Sequence, residues 1–378
     1  MGTEIKRKLA SIERIEEIRS IEGADAIEAA RVLGWWVVVK KQEYKVGDLA
    51  VYIAIDSWVP HELAPFLSKG KEPREYEGVK GERVRTVKLR GAVSQGLLLP
   101  IDRLNDQPFI CGWFLEDGIG TMLMVSEGQD VTEALGIQKW EAPVPAQLAG
   151  VARGTFPTSL IHKTDQERIQ NCFEDIQARD GKCLTKKVWN AELEVLEEHD
   201  GILSDDFERP TYEKTLKLDG SSMTVFRLEG EIRVCSRNME LKINEENAGN
   251  SFVAKALEIS DKIPEGYAIQ GELIGEGIQG NPEKITGREF YVFDVFDIPS
   301  YTYLLPEDRR GFVDTIGLKH VPVIEEAAFA PDSVDAGLED ADGPSLNAKL
   351  REGVVYKSNE GSFSFKCIST AWLLKNDG

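Results

Sequence analysis

The sequence predicts an α+β protein in two parts, a small antiparallel β-barrel followed by a larger mixed domain. Three observations carry that expectation. The first hundred residues hold short β-branched and aromatic runs separated by glycine-containing turns, the pattern of an antiparallel barrel rather than of βαβ units. A stretch with two prolines and two glycines, Trp140 to Phe156, reads as a linker. Beyond it strands and helices are mixed without regular alternation, as in α+β layers. With 378 residues, the chain is long enough for two or three domains. We place the first at 1–145 and the second at 155–378, with the linker near 140–155.

In chain order, Ile12, Ile15, Ile18 and Ile21 recur at a spacing that fits a helical turn or a strand equally well. Val32–Val39 and Leu49–Ile55 read as strands. Val84–Gly91 and Gly96–Pro100 supply two more. Between Ser68 and Arg90 stand Lys69, Lys71, Arg74, Lys80, Arg83, Arg85, Lys88 and Arg90, against Glu72, Glu75, Glu77 and Glu82, a local excess of four positive charges (eight minus four). Arg83 with Arg85, and Lys88 with Arg90, are expected to share strand faces. Such a patch suits phosphate contact, or equally a solvated edge that blocks strand pairing. After the linker, Thr164-Asp165 is expected to cap a helix through Phe173, and a second helix is expected over Lys186–His199. The strand-rich remainder comprises Tyr212–Leu216, Ser222–Leu228, Ile232–Ser236, Tyr267–Ile274, Phe290–Phe296, Gly353–Lys357 and Ser362–Ile368. Helices are expected over Ser251–Ile259 and Arg309–Ile316, and the acidic Pro331–Asp342 region as a surface loop.

Composition narrows the function classes. A net charge of −20 removes any global electrostatic case for nucleic-acid binding, so such binding needs a local patch. Five cysteines without a CxxC pair and four dispersed histidines argue against a zinc site and a disulfide framework. The N-terminus has no apolar signal region, and no apolar run reaches membrane-spanning length. The expectation is a cytoplasmic monomer with no membrane partner.

Two motifs invite chemistry. Gly275-Glu276-Gly277-Ile278-Gln279-Gly280 matches a dinucleotide fingerprint, but Asn281-Pro282-Glu283-Lys284 follows where a helix should open, so we reject that reading. Lys217-Leu218-Asp219-Gly220 places a lysine two residues before an Asp-Gly pair expected to form a tight turn between strands. By itself this is either a surface hairpin with a solvated lysine or a lysine nucleophile activated by its surroundings. Ordered polar groups follow: Arg237 in Ser236-Arg237-Asn238, Glu272 in Gly271-Glu272-Leu273, Phe293 in Val292-Phe293-Asp294, Glu352 in Arg351-Glu352-Gly353-Val354-Val355, and Lys366 in Phe365-Lys366-Cys367.

This order resembles the covalent nucleotidyltransferase superfamily of ATP-dependent ligases and capping enzymes, over about Thr155 to the C-terminus. A closer resemblance is to RNA ligases of the Deinococcus nick-sealing type, carried also by Phe156-Pro157, Ile161-His162-Lys163-Thr164-Asp165, Glu167-Arg168-Ile169-Gln170-Asn171 and Leu346-Asn347. That family carries an oligonucleotide-binding (OB) barrel ahead of the catalytic domain, which fits the barrel and patch above. DNA ligases and capping enzymes place their barrel after the last motif, whereas about ten residues follow Lys366 here.

The resemblance implies ATP as cosubstrate, Mg²⁺ or Mn²⁺ as metal, and RNA as partner, as a nicked duplex, free ends or an RNA/DNA hybrid. It implies that Lys217 takes AMP from ATP, passes it to an RNA 5′-phosphate, and that a 3′-hydroxyl then closes the break. Glu272 and Glu352 would hold the metal, and Arg237 and Lys366 would neutralise phosphate oxygens. Phe293 would stack on adenine. Asp219 and Gly220 would adjoin the nucleotide, as would Asp165, Arg168 and Gln170. Arg83, Arg85, Lys88 and Arg90 would meet nucleic acid. The family's last motif often has two lysines one residue apart. Ser364 and Ile368 flank Lys366 here, leaving Lys357 or Lys375 as candidates for the second cation. The competing expectations are a DNA ligase or capping-type enzyme, and a catalytically silent nucleic-acid-binding protein.

Overall fold

A computed structural model describes residues 8–104, 125–140, 150–180, 186–190, 195–199, 209–361 and 363–376. Most of the expected linker and two cysteines, Cys111 and Cys183, lie outside them. The chain divides into two compact units. The first comprises Met1–Ala142, Cys183–Ile202 and Leu373–Gly378, and the second Pro143–Lys182 and Leu203–Trp372.

The first unit is built from antiparallel sheets around one core. Leu49–Ile53 is flanked by Ala10–Arg14 and Leu97–Pro100, and Glu17–Ser20, Ile27–Val32 and Trp35–Lys40 form a meander. Strand period 2 decides what goes inside: Trp35, Val37 and Val39 are buried, while Trp36 and Val38 are half-exposed and Lys40 is exposed. The isoleucines that fitted helix or strand lie in strands and their turns, with Ile12 and Ile15 fully buried. The run read as one strand, Val32–Val39, is a hairpin. Leu33 (φ 49°) and Gly34 (φ 75°) both take the left-handed backbone of a two-residue turn, which matches the twist of paired strands.

Also grouped with this unit, Lys186–Asn190 and Val195–His199 form an antiparallel hairpin, not the expected helix. The register sets Lys187 opposite Glu198 and Trp189 opposite Leu196. Backbone pairing along both strands overrides the helical spacing of Val188, Leu193 and Leu196.

The second unit holds two main sheets. The larger runs Ala152–Thr155, Met239–Leu241, Glu231–Ser236, Ser221–Leu228, Tyr267–Gly275, Arg288–Asp297 and Thr302–Tyr303, with Lys319–His320 also on Arg288–Asp297. Its core (Met223, Val225, Val234, Ile269, Val292) is covered by helices Ser251–Glu258 and Pro306–Thr315 through Val253, Ala256 and Val313. The smaller sheet runs Glu167–Arg168, Ser364–Ile368, Gly353–Ser358, Tyr212–Lys217 and Val323–Ala328. It is covered by helices Ile169–Arg179 and Val334–Ala341. The latter replaces the acidic loop expected over Pro331–Asp342. The Ser333 hydroxyl accepts the Ala336 N–H as a cap, and Val334, Leu338 and Ala341 line up along one face toward the sheet.

A buried charge network joins the two sheets. Arg309 and Arg310 both donate to Glu213 on the smaller sheet, and Arg309 also lies 3.6 Å from Asp294 on the larger one. Lys357 pairs with Asp294 at 2.6 Å and donates to the Phe293 carbonyl at 2.7 Å. His320 Nε2 accepts from Arg309 Nε, so Nδ1 carries the hydrogen and donates to the Val321 carbonyl. Burial and the Arg309 charge push His320 down to about 4, keeping it neutral at neutral pH.

Candidate active site

The expected hairpin at Asp219-Gly220 is not there. Tyr212–Lys217 belongs to the smaller sheet and Ser221–Leu228 to the larger, so Leu218-Asp219-Gly220 carries the chain from one to the other. Lys217 ends a strand whose preceding five residues are all buried. The crossing passes so close to the neighbouring strand that a Cβ at Gly220 would lie 2.5 Å from the Leu273 carbonyl oxygen. Glycine is there for close approach, not for a turn.

Strand register brings the separated motifs together. Gly353 lies opposite Lys217, which sets the preceding Glu352 beside the lysine, and Lys217 Nζ is 2.6 Å from Glu352 Oε2. A Cβ at Gly353 would lie 2.1 Å from the Cys367 carbonyl oxygen, so only glycine lets these strands pair. Ser222, just past the crossing, lies opposite Glu272. Asp219 is half-buried, and burial, then the Glu352 charge, pushes it up to about 6. Glu272 keeps a window to solvent but is otherwise enclosed. Burial pushes it up to about 8, Lys217 opposes that, and Glu352 and Asp219 add to it.

A second cluster is cationic. Arg168 and Lys366 are paired in a parallel two-residue ladder, Glu167–Arg168 against Phe365–Lys366. Here the structure corrects the expected helix start. Glu167-Arg168 is extended, Arg168 is the N-cap position, and the helix begins at Ile169. Arg237 sits at the tip between Glu231–Ser236 and Met239–Leu241. Asp165 bridges the cations, 3.3 Å from Lys366 and 3.5 Å from Arg237. Burial pushes Lys366 down to about 8; Asp165 opposes the shift, and Lys217, Arg168 and Arg237 reinforce it.

Phe293 is half-buried beside a small apolar cluster of Leu216, Leu218, Ile274 and Val321, which Leu346 also joins. Gln170 is buried in the first helical turn, with no hydrogen-bond partner for its Oε1 among the described residues. The structure thus gathers Lys217, Asp219, Gly220, Glu272, Glu352, Arg237, Lys366, Asp165 and Arg168 into one neighbourhood, with Phe293 beside it. Lys357 is fully engaged by Asp294 and the Phe293 carbonyl, away from that role as a second phosphate cation. Lys375 is exposed on the helix Thr370–Asn376.

Sequence reasoning missed Glu283, in the loop after the rejected glycine motif. It is buried, its carboxylate accepts the Asn347 and Ala348 N–H groups at 2.7 and 3.1 Å, and its charge adds to the upward push on Asp219. A glutamate inside an Asn-Pro-Glu loop was the available signal. No helix follows Gly280, in keeping with the rejection of that motif.

Among the described residues no three His, Cys, Asp or Glu side chains converge into a ready cage for a metal. The donor chemistry nevertheless fits Mg²⁺ or Mn²⁺. Glu272 and Glu352 offer hard oxygens, and the carboxylates crowd enough to hold protons that a cation would replace. Such ions draw their other ligands from phosphate and water.

The basic patch of the first unit is divided. Arg74 is bound to Glu82, Lys80 to Glu72 at 2.8 Å, and Arg83 to Asp56 at 2.5 Å with its guanidinium 4.0 Å above the Trp140 ring. The strand ends at Arg83, so Arg85 does not share it, and Arg90 sits in the turn after Lys88 (φ 49°). Arg85, Lys88 and Arg90 are exposed around the hairpin Thr86–Leu89/Ala92–Gln95, beside exposed Val87 and Leu89.

Comparison with known proteins places this architecture. An RNA ligase family profile matches residues 211–368, and an OB-fold domain profile matches residues 9–101. A point mutant of Naegleria gruberi RNA ligase, solved with ATP and Mn, is 39% identical over 98% of this chain and 99% of that one, with a TM-score of 0.72. The same ligase solved with AMP and Mn is 40% identical (98% and 99% covered, TM-score 0.72). Its structure with PPi is 40% identical (98% and 99%, TM-score 0.71). The search of curated proteins gave no match. Fold and similarity define an enzyme that joins RNA ends, with an OB-fold domain ahead of an α+β ligase domain. The chain belongs to the RNA ligase family.

Proposed function

We propose that this protein is an ATP-dependent RNA ligase of the Deinococcus nick-sealing type, which seals 3′-OH/5′-phosphate ends at nicks in RNA. The observation that carries the reading is the strand-imposed pairing of Lys217 with Glu352, beside Asp219 and Glu272 and next to the Lys366–Arg237 cations. Lys217 Nζ attacks the α-phosphorus of ATP. A P–N bond forms, the bond to the bridging oxygen of pyrophosphate breaks, and pyrophosphate leaves. For that, Nζ must part from Glu352, 2.6 Å away, and lose a proton to water. An RNA 5′-phosphate oxygen then displaces Lys217 from the same phosphorus, and a 3′-hydroxyl finally displaces AMP from the RNA end.

Lys366 and Arg237 stabilise negative oxygens in each displacement. Glu272 and Glu352 hold the divalent metal, which when bound supplies further positive charge to those oxygens. Phe293 gives adenine a flat apolar face, and Asp219, Gly220, Arg168 and Gln170 adjoin the nucleotide. Residues 1–145 serve as the nucleic-acid-binding domain and 155–378 as the catalytic one. Arg85, Lys88 and Arg90 contact phosphates, and Arg83 steadies the barrel. The enzyme works as a cytoplasmic monomer on RNA or RNA/DNA hybrid duplexes.

Incubation with α-labelled ATP or GTP and Mn²⁺ or Mg²⁺, followed by a denaturing gel, tests the reading. Labelled protein from ATP that disappears in Lys217→Ala is the expected result. Absence of label, or label surviving in Lys217→Ala, sinks the covalent mechanism, and label from GTP points to capping. Sealing of a nicked RNA duplex against free single-stranded ends tests the substrate.

A further inference from the structure

Three cations, Lys217, Arg168 and Arg237, act on a fourth, Lys366, and an exposed carboxylate lies between Lys366 and Arg237. Asp165 spans Lys366 and Arg237 at 3.3 and 3.5 Å, the way one phosphate group would bridge them. We propose that Asp165 is a displaceable counter-ion that holds the phosphate position between turnovers, yields it to the phosphates of the incoming nucleotide, and returns when the site empties at the end of the turnover. The proposal rests on the ligase reading and assigns Asp165 a part opposite to that of a nucleotide ligand.

The geometry separates a movable side chain from a fixed backbone. Before Asp165, the His162 carbonyl accepts from both Gln270 Nε2 and Tyr303 Oη at 2.9 Å, and Ile161 is fully buried. After it, Glu167–Arg168 is paired into the sheet. The segment is therefore held at both ends, and only rotation of the Asp165 side chain is needed to open the position.

The Asp165 side chain is 44% exposed and Arg237 62% exposed, while Lys366 is 19% exposed, and both contacts are longer than the 2.6 Å pair at Lys217. The long, solvated Arg237 pair is weak and screened, so the less exposed Lys366 pair is the one a phosphate must replace. A phosphate with more charge and three acceptor oxygens outcompetes one carboxylate for the same cations. Once phosphate is bound, an unmoved Asp165 would face it as a like charge, so the side chain must swing to water. Between turnovers the same carboxylate relieves repulsion among the cations, which gives the chain a reason to carry an acid here.

The test is the affinity for pyrophosphate itself, titrated calorimetrically into the full chain with no nucleotide and with metal chelated, so that no chemistry is needed. Asp165→Asn should bind pyrophosphate about three- to tenfold more tightly than the unaltered protein. Asp165→Glu, which keeps the charge, should bind as the unaltered protein does. In the labelling reaction Asp165→Asn should be inhibited by pyrophosphate at correspondingly lower concentration. Equal or weaker pyrophosphate binding by Asp165→Asn overturns the proposal and makes Asp165 a scaffold or a nucleotide ligand. Failure of the unaltered protein to form lysyl-AMP would instead strike the ligase reading, and the pyrophosphate titration would still report on Asp165.

Discussion

Lys217 and its carboxylate neighbours set the expectations at the scale of single residues. Asp219 and Glu272 both titrate above the ordinary carboxylate range, near 6 and near 8, because burial and neighbouring carboxylates disfavour their charge. A metal held by Glu272 would displace its proton. Mn²⁺ affinity should therefore rise between pH 6 and pH 8, by up to about tenfold per unit for each proton displaced. Calorimetry at three pH values checks this, and a flat profile would separate the metal site from Glu272. Linkage gives a second expectation for the same group. A carboxyl raised in the fold loses stability as pH climbs from its unfolded value, near 4.5, through about 8. Glu272→Gln removes that loss, so its melting temperature relative to the parent should increase from pH 5 to pH 8. Such a trade of stability for a charged site is common where function needs crowded charges. The identity of these residues was legible in the sequence because their order along the chain is distinctive. Glu283 was not, because its effect on Asp219 passes through a loop fold that no local pattern encodes.

Elements decide where those residues meet. The Asp-Gly pair read as a hairpin turn, and local chemistry supports that reading. The structure sends the chain to another sheet instead, because Tyr212–Lys217 already has partners on both sides. Gly220→Ala should therefore act through collision with the Leu273 carbonyl. A loss of about 1–3 kcal/mol in stability, with a larger fall in lysyl-AMP formation than in ATP binding, is the expected result of denaturation and labelling measurements. The Arg309 network is a second device at this scale. Arg309→Leu leaves Glu213 and Asp294 buried without that partner, and a cost of about 3–5 kcal/mol is expected by chemical denaturation. The misread stretches, Lys186–His199 and Pro331–Asp342, show the same limit. Helical spacing and acidity are local signals, and cross-strand pairing in one case and a Ser333 cap over a sheet in the other overrode them.

Across the whole molecule, a net charge of −20 confronts a polyanionic substrate. Binding then depends on where cations remain uncompensated, and only part of the patch in the first unit qualifies. Replacing Arg85, Lys88 and Arg90 together with glutamine should flatten the dependence of log affinity on log salt by about 0.7–0.9 for each phosphate that is no longer neutralised. Arg83→Gln should instead lower stability with little change in that slope, since Arg83 is tied to Asp56 and Trp140. Fluorescence anisotropy with a nicked RNA duplex over a range of salt distinguishes the two. The α+β class, the two-part layout and the ordered candidate residues could all be read from the linear chain, because composition, strand period and motif order need no third dimension. Folding alone put Lys217 against Glu352, set Asp165 between Lys366 and Arg237, and committed Lys357 elsewhere. Those outcomes depend on segments distant along the chain coming together, as where Gly353 is set opposite Lys217, and register is set by packing of the whole sheet rather than by any segment within it.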